Sequence, residues 1–296
     1  MTLTTAFIGL GRMGWPMAAH LSPRPTVFDI NEQTAQSWLA DNTGGRLASS
    51  ITEAVEGADL IISSLPADAQ LLAVLEVLEP AIKAGATWID HSTTSAQAAR
   101  QVAERLAERN AHFLDAPVSG GVDGACRGNL TVMVGGDAQV LNRIEPVLEQ
   151  YAARVTHMGP AGSGQVAKMT NQICVIGLAQ ALAEGLDFAS RAGLDTARMV
   201  QVMQQGSSTS WMMENRADRM LAGEYDHGFS TALMRKDLGL VLEEARAMNV
   251  SLPVTGLVGQ FLADVEAMGG EHWDWSALME RQRKFAPVSG SPESDD

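Results

Sequence analysis

Residues 5–18 read Thr5-Ala6-Phe7-Ile8-Gly9-Leu10-Gly11-Arg12-Met13-Gly14-Trp15-Pro16-Met17-Ala18. The first four form an apolar run with the length of a buried strand, and Met13 to Leu21 reads as a helix. Between them lies GxGxxG. In a chain with 28 glycines that spacing is weak by itself. Its placement, directly after a strand and opening a helix, is what a pyrophosphate needs. Gly9 permits the tight turn, Gly11 lets backbone approach phosphate, and Gly14 lets the helix pack on the strand. Leu10, Arg12 and Met13 complete the loop, and the helix start offers N–H groups and a positive dipole end to the anion.

Outward from this loop, short β-branched runs alternate with helical stretches. Strands read at Thr26–Phe28, Leu60–Ser63, Thr87–Asp90, His112–Leu114 and Leu130–Val134, with helices at Glu32–Ala40 and Ser95–Arg109 among them. Nearly all-apolar strands separated by helices predict a mostly parallel α/β sheet covered on both faces. The pattern changes at Gly159-Pro160-Ala161-Gly162. A long helix is expected from Gln165 to about Ala192, ended by Gly193, then shorter helices near 196–205, 211–222, 231–248, 254–268 and 274–284. The expected organisation is a dinucleotide-binding α/β domain over residues 1–162 and an all-α domain over 163–288, joined by the long helix. A disordered acidic tail is expected over 289–296.

Asp29 stands twenty residues after Gly9, at the end of the second strand. A carboxylate there accepts from ribose hydroxyls and repels a 2′-phosphate, which predicts NAD over NADP. The run Asp29-Ile30-Asn31-Glu32 also fits an ordinary helix-start turn. Ser64-Leu65-Pro66 and Ser92-Thr93 follow strands, on the side where ligands bind in open α/β sheets.

Composition narrows the field. The chain has 296 residues, enough for about two domains at roughly 150 each. Thirty-five acids against twenty-one bases, net −14, disfavour nucleic acid and anionic membrane surfaces. Cys126 and Cys174 lie in no CxxC, and no Cys/His cluster has zinc spacing, so no metal is expected. The N-terminus lacks a basic signal-peptide region, and the apolar stretch Ile173–Ala183 is shorter than the ~20 residues that span a bilayer. A cytoplasmic protein is expected.

Two other nicotinamide chemistries fail. Tyr151 and Tyr225 are followed four residues on by Val155 and Phe229, not lysine, and zinc ligands are missing. Phe7–Ala18 instead resembles the opening signature of the β-hydroxyacid dehydrogenases, the 3-hydroxyisobutyrate dehydrogenase family. Three more segments are similar, in order: Asp115-Ala116-Pro117-Val118-Ser119-Gly120-Gly121, Gly162-Ser163-Gly164-Gln165-Val166-Ala167-Lys168, and Lys236-Asp237-Leu238-Gly239-Leu240. The resemblance runs from residue 3 to about 285. It implies a Rossmann-type domain with NAD, and reversible hydride transfer between nicotinamide and a small 3-hydroxy carboxylate or its semialdehyde.

By the same resemblance, Ser119, Gly120 and Gly121 hold the substrate carboxylate, which suits a hydroxyl beside closely spaced N–H groups. Lys168 is the general acid/base. Its expected position in the first turn of the long helix, partly buried, would lower its pKa toward a useful range. Asn171 and Gln172, three and four residues on, share its helix face and are substrate-contact candidates. Many relatives carry Asn where this chain has Gln172; Lys168-Met169-Thr170-Asn171-Gln172 is similar instead to the tartronate semialdehyde reductase branch. Ser119–Val122 with Gly128–Thr131 is closer to the 3-hydroxyisobutyrate branch. Serine and 4-hydroxybutyrate also stay open as substrates.

The resemblance places Lys236 at the cofactor and substrate cleft, with Asp237 near by. As adjacent helix residues they are expected to point apart, and both also fit solvated surface charges. Trp211 matches a pocket-shaping residue, and also fits a core tryptophan. The Ser64–Pro66 and Ser92–Thr93 loops contact ribose and nicotinamide. His91 beside them reads as structural. The all-α domain implies a homodimer or homotetramer. Related folds include imine reductases and non-catalytic proteins that lack the lysine.

Overall fold

The computed structural model describes residues 3–285. The expected disordered tail at 289–296 lies outside them. The chain divides into two compact units, the first ending at Lys168 and the second beginning at Met169. The break falls inside one helix, six residues beyond the change of pattern at Gly162.

The first unit holds nine strands: β1 (Thr5–Ile8), β2 (Thr26–Phe28), β3 (Arg46–Leu47), β4 (Leu60–Ser63), β5 (Thr87–Asp90), β6 (His112–Asp115), β7 (Val118–Ser119), β8 (Leu130–Gly135) and β9 (Ala152–Gly159). Between them run α1 (Gly14–His20), α2 (Glu32–Asp41), α3 (Ile51–Val55), α4 (Asp68–Leu78), α5 (Ala96–Glu108), α6 (Gly121–Arg127) and α7 (Ala138–Leu148). The sheet order is β3-β2-β1-β4-β5-β6-β8-β7, with β9 on β8. Pairing is parallel from β3 through β6; β8 then runs antiparallel to β6 and β7 and parallel to β9.

β1, β4 and β5 carry almost no exposed residue, which is why they read as apolar runs. One face packs Phe7, Ile62, Ile89 and Leu114 with Trp38, Met17 and Tyr151. The other packs Ala6, Ile61 and Trp88 with Leu71, Leu75, Val102 and Leu106. The chain order reverses between β1 and β4. Their carboxyl ends therefore open the crevice where ligands bind in doubly wound sheets.

The second unit is helical. It contains the rest of α8 (Ser163–Arg191), then α9 (Thr196–Gln204), α10 (Trp211–Ala222), α11 (Thr231–Ala247), α12 (Pro253–Ala267), a 3-10 turn at Trp275–Ala277 and α13 (Leu278–Phe285). By length and composition α8 is apolar enough to cross a membrane, contrary to the expectation drawn from Ile173–Ala183. One face of it is core. Ile176, Ala179, Leu182, Ala183 and Leu186 pack against Met213, Met220, Leu238 and Leu262.

Candidate functional site

The glycine loop is shaped by contacts that admit no side chain. Gly9 has φ +91°, and a Cβ there would run into the Ser64 carbonyl. A Cβ on Gly14 would run into the Gly9 carbonyl. Gly11 is different: a Cβ there meets nothing within 4 Å, so it faces open space. The loop borders a depression of about 400 Å³ lined by Leu10, Gly11, Arg12, Trp15, Pro16 and Val122 among others.

Asp29 follows β2. Its carboxylate accepts from the Leu10 N–H (2.6 Å) and the Asn31 N–H (2.8 Å). It therefore braces the loop, and Asn31, not Asp29, caps α2 by accepting from Thr34. A carboxylate offers about four lone-pair positions, so with two bonds made it can accept from about two further donors.

The β4 and β5 loops are tied by buried polar groups. Asp90 Oδ1 accepts from the hydroxyls of Ser63 and Ser92, each at 2.6 Å. Ser92 Oγ accepts from the Leu65 N–H at 2.7 Å, and Trp88 Nε1 donates to Ser63 Oγ at 2.8 Å. Burial pushes the Asp90 carboxyl up to about 6 against the two serine bonds. His91 is buried with Nδ1 2.6 Å from the Ala116 carbonyl and Nε2 2.8 Å from the Tyr151 hydroxyl. The carbonyl can only accept, so Nδ1 carries the proton and Nε2 accepts from Tyr151. Burial holds His91 neutral, its pKa pushed down to about 4.

Ser119 ends β7. Gly120 and Gly121 both have positive φ, +125° and +63°, and Gly121 opens α6. A Cβ on Gly121 would meet nothing within 4 Å. Against this loop stands Lys168, buried, its Nζ donating to the Val118 carbonyl at 2.9 Å. The helix carrying it starts at Ser163. Lys168 thus sits in the second turn, not the first, and the helix-dipole effect on it is weaker than the sequence suggested.

The start of α8 is held from β6. Asp115 accepts from the N–H of Gly162 (2.7 Å) and of Gln165 (2.9 Å). A Cβ on Gly164 would lie 2.5 Å from the carbonyls of Asp115 and Met133. Burial raises the Asp115 carboxyl, opposed by these backbone bonds.

Residues 4–159 match a family described as the NAD binding domain of 6-phosphogluconate dehydrogenase. Residues 162–281 match the NAD-binding region of NADP-dependent 3-hydroxyisobutyrate dehydrogenase. An uncharacterized oxidoreductase of Shewanella frigidimarina is 44% identical, covering 94% of this chain and 98% of its own. The 2-hydroxy-3-oxopropionate reductase of Escherichia coli is 35% identical, covering 93% and 95%. The chain is also similar to a solved Mycobacterium tuberculosis 3-hydroxyisobutyrate dehydrogenase with L-serine. That structure has TM-score 0.89 and 33% identity, over 96% of this chain and 100% of that one. The chain belongs to the β-hydroxyacid dehydrogenase family.

The β-hydroxyacid dehydrogenases are NAD(P)-binding oxidoreductases of the 3-hydroxyacid dehydrogenase kind. The residues here fit such a cofactor. Gly11 leaves room that a side chain would fill, and α1 has Met13 at its N-cap with no side-chain cap bond. Helices α2, α3, α5 and α7 are capped instead by Asn31, Ser50, Ser95 and Asp137.

The second-unit part of α8 carries a second polar chain. Asn171 Nδ2 donates to Gln172 Oε1 (3.0 Å), and Gln172 Nε2 donates to Asp237 Oδ2 (2.7 Å). Lys236 Nζ lies 3.2 Å from Asp237 Oδ1. The expectation that these neighbours point apart is corrected: the lysine stem curls back to its buried neighbour. Asp237 is 1% exposed, so it is no solvated surface charge. Trp211 opens α10, is 53% exposed, and has the Arg216 guanidinium 4.9 Å over its ring, so it is not a core residue.

Three residues of this constellation carried no role in the sequence reading: Asp90, Asp115 and Gln165. Asp115 and Gln165 lie inside quoted motifs, which was the available signal. Among the described residues no group of three or more His, Cys, Asp or Glu could hold a metal ion.

Proposed function

We propose that this chain interconverts a small 3-hydroxy carboxylate and its semialdehyde, using NAD in preference to NADP. The observation that carries the reading is the Lys168 ammonium on the Val118 carbonyl, one residue before Ser119-Gly120-Gly121. It sets a proton-transfer group beside an anion-sized loop.

The cofactor, when bound, supplies the hydride acceptor at its nicotinamide. Gly9–Gly14 hold the pyrophosphate, Asp29 the ribose hydroxyls, and the Ser64–Pro66 and Ser92–Thr93 loops the nicotinamide half. Ser119 and the Gly120 and Gly121 N–H groups bind the substrate carboxylate and orient its C3 hydroxyl. Neutral Lys168 takes the hydroxyl proton as the C3 hydrogen leaves with its electron pair; in reduction the ammonium returns it. Lys236 belongs to the cofactor side, and Asn171 and Trp211 to the substrate side. Gln172 spends its amide on Asn171 and Asp237, a reach one methylene longer than asparagine allows.

3-Hydroxyisobutyrate is the first substrate of this reading. The Asn171-Gln172 pair keeps 2-hydroxy-3-oxopropionate beside it, serine completes the 3-hydroxy set, and 4-hydroxybutyrate, with its hydroxyl on C4, is the alternative. Such acids differ by a methyl or hydroxyl contact. The protein acts as a homodimer or homotetramer through its helical unit, in the cytoplasm.

A panel of these acids with NAD and NADP, run on wild type and Lys168→Ala, tests the reading. Turnover of at least one acid with NAD, lost in the variant, is expected. Turnover surviving in the variant overturns the lysine's role.

A further inference from the structure

We infer that Gln165 is a positioning residue that sets the base-bearing helix against the Ser92–Thr94 loop; this rests on the role proposed above for Lys168. Gln165 is 0% exposed, and both ends of its amide are used. Oε1 accepts from the Thr94 N–H at 3.0 Å, and Nε2 donates to the Ser92 carbonyl at 2.9 Å. These partners lie 71 and 73 residues away in sequence. The two bonds bracket Thr93, the loop residue assigned to the nicotinamide side.

Only a primary amide of this length does both jobs. The loop presents one donor and one acceptor, and a carboxylate or thioether leaves at least one of them buried without a partner. The Gln165 backbone is anchored as well, its N–H on Asp115 Oδ2 at 2.9 Å. Lys168 is three residues on, on the same helix face. A helix rises about 1.5 Å per residue, so any slip of α8 against this loop moves Nζ by a comparable distance. The clamp extends outward through Ser92, whose hydroxyl accepts from Leu65 N–H and donates to Asp90. One side chain thereby couples the proton-transfer group to the loops after β4 and β5.

The test uses Gln165→Met and Gln165→Glu in the full chain, with Lys168→Ala as reference. Hydrogen exchange is followed over residues 92–96 without cofactor. Then kcat, KM and the deuterium isotope effect are measured with NAD and C3-deuterated 3-hydroxyisobutyrate or L-serine. In Gln165→Met, Thr94 should exchange at least about tenfold faster. Its kcat should fall roughly 10- to 100-fold, the scale of an ångström's misplacement. KM should change less than about threefold, and the isotope effect on kcat should rise as hydride transfer becomes slowest. Gln165→Glu keeps the acceptor for Thr94 and loses the donor to Ser92, so it should fall between. It carries the test if the methionine variant does not fold.

Unchanged exchange at Thr94 in folded Gln165→Met overturns the inference without reference to turnover; in Gln165→Glu, which keeps the Thr94 acceptor, unchanged kcat and isotope effect overturn it. So does a lower Tm with unchanged kcat and isotope effect, the pattern of a stability role alone. Activity persisting in Lys168→Ala would instead overturn the reading of the base, and the two failures are told apart by that control.

Discussion

At the scale of single residues, Lys168 and Asp29 carry the sharpest expectations. Replacing Lys168 with alanine removes the proposed proton acceptor while leaving the glycine loop intact. A loss in kcat of at least ~10²-fold is expected, with NADH binding unchanged by fluorescence titration. Asp29 does two things at once. Its charge faces a 2′-phosphate in the proposed cofactor pose, and its oxygens hold Leu10 and Asn31. Asp29→Asn keeps an acceptor for one of these N–H groups and removes the charge. The ratio of kcat/KM for NADP to that for NAD should rise by roughly tenfold, the scale of one lost charge interaction. An unmoved ratio would leave Asp29 with the loop-bracing role alone.

Asp90 and His91 are neighbours whose titrations oppose each other. The folded state raises the Asp90 carboxyl to about 6, so this group adds stability as pH falls from 6 toward 4. It lowers His91 to about 4, so that group loses stability as pH falls from 6.5 toward 4. Each amounts to on the order of 1 kcal/mol per pH unit, and in wild type they largely cancel. In Asp90→Asn, denaturant unfolding should show stability falling on acidification through this window, relative to wild type. In His91→Gln it should show the reverse. Parallel pH profiles in the two variants would refute this pairing.

At the scale of elements, α8 is the organising piece. Its start is gripped by Asp115 and by the close approach of Gly164 to two carbonyls. The helical backbone at Gly164 tolerates alanine, but the space does not. Gly164→Ala should cost about 3 kcal/mol or more by overpacking, read as a lower Tm. It should also lower kcat, because the same shift moves Lys168. Helix capping is a second regularity. In the first unit α1, α4 and α6 lack a side-chain cap bond, and all three begin at loops proposed to hold ligand. Ser, Asn and Asp caps occur at α2, α3, α5 and α7; α2 and α5 are thus capped by protein although they follow Asp29 and the Ser92–Thr93 loop.

At the scale of the whole molecule, α8 also presents an uncovered stripe. Cys174, Leu178, Ala181, Gly185 and Phe188 are exposed at spacings of four, three, four and three. Leu178 is 47% exposed and Phe188 75%. That period keeps one helix face apolar along its length, the pattern a partner helix packs against. Sedimentation should find a dimer or tetramer, and Leu178→Glu with Phe188→Glu should shift it toward monomer with the helical content unchanged. A monomeric wild type would remove the proposed assembly. The net charge of −14 works against self-association at long range and is screened beyond about 10 Å in ordinary salt. Contact surface therefore decides the outcome more than charge does.

Several features were legible from the chain alone. β1, β4 and β5 are buried on both faces and so appear as continuous apolar runs. The helices of the second unit bury one stripe each and so carry a 3.6-residue period. β9 stayed hidden because most of it is solvent-facing, and β3 and β7 because two residues carry no pattern. The glycine loop and the order of the four motifs were local facts of sequence, the loop set by the positive φ at Gly9 and the close approach at Gly14. Which groups meet was not local. Gln165 finds Ser92 and Thr94 more than seventy residues away, Asp115 caps a helix beginning near residue 163, and Gln172 finds Asp237. Those partners are chosen by strand order and packing, and a buried hydrogen bond has no signature in the chain until the fold brings its two ends together.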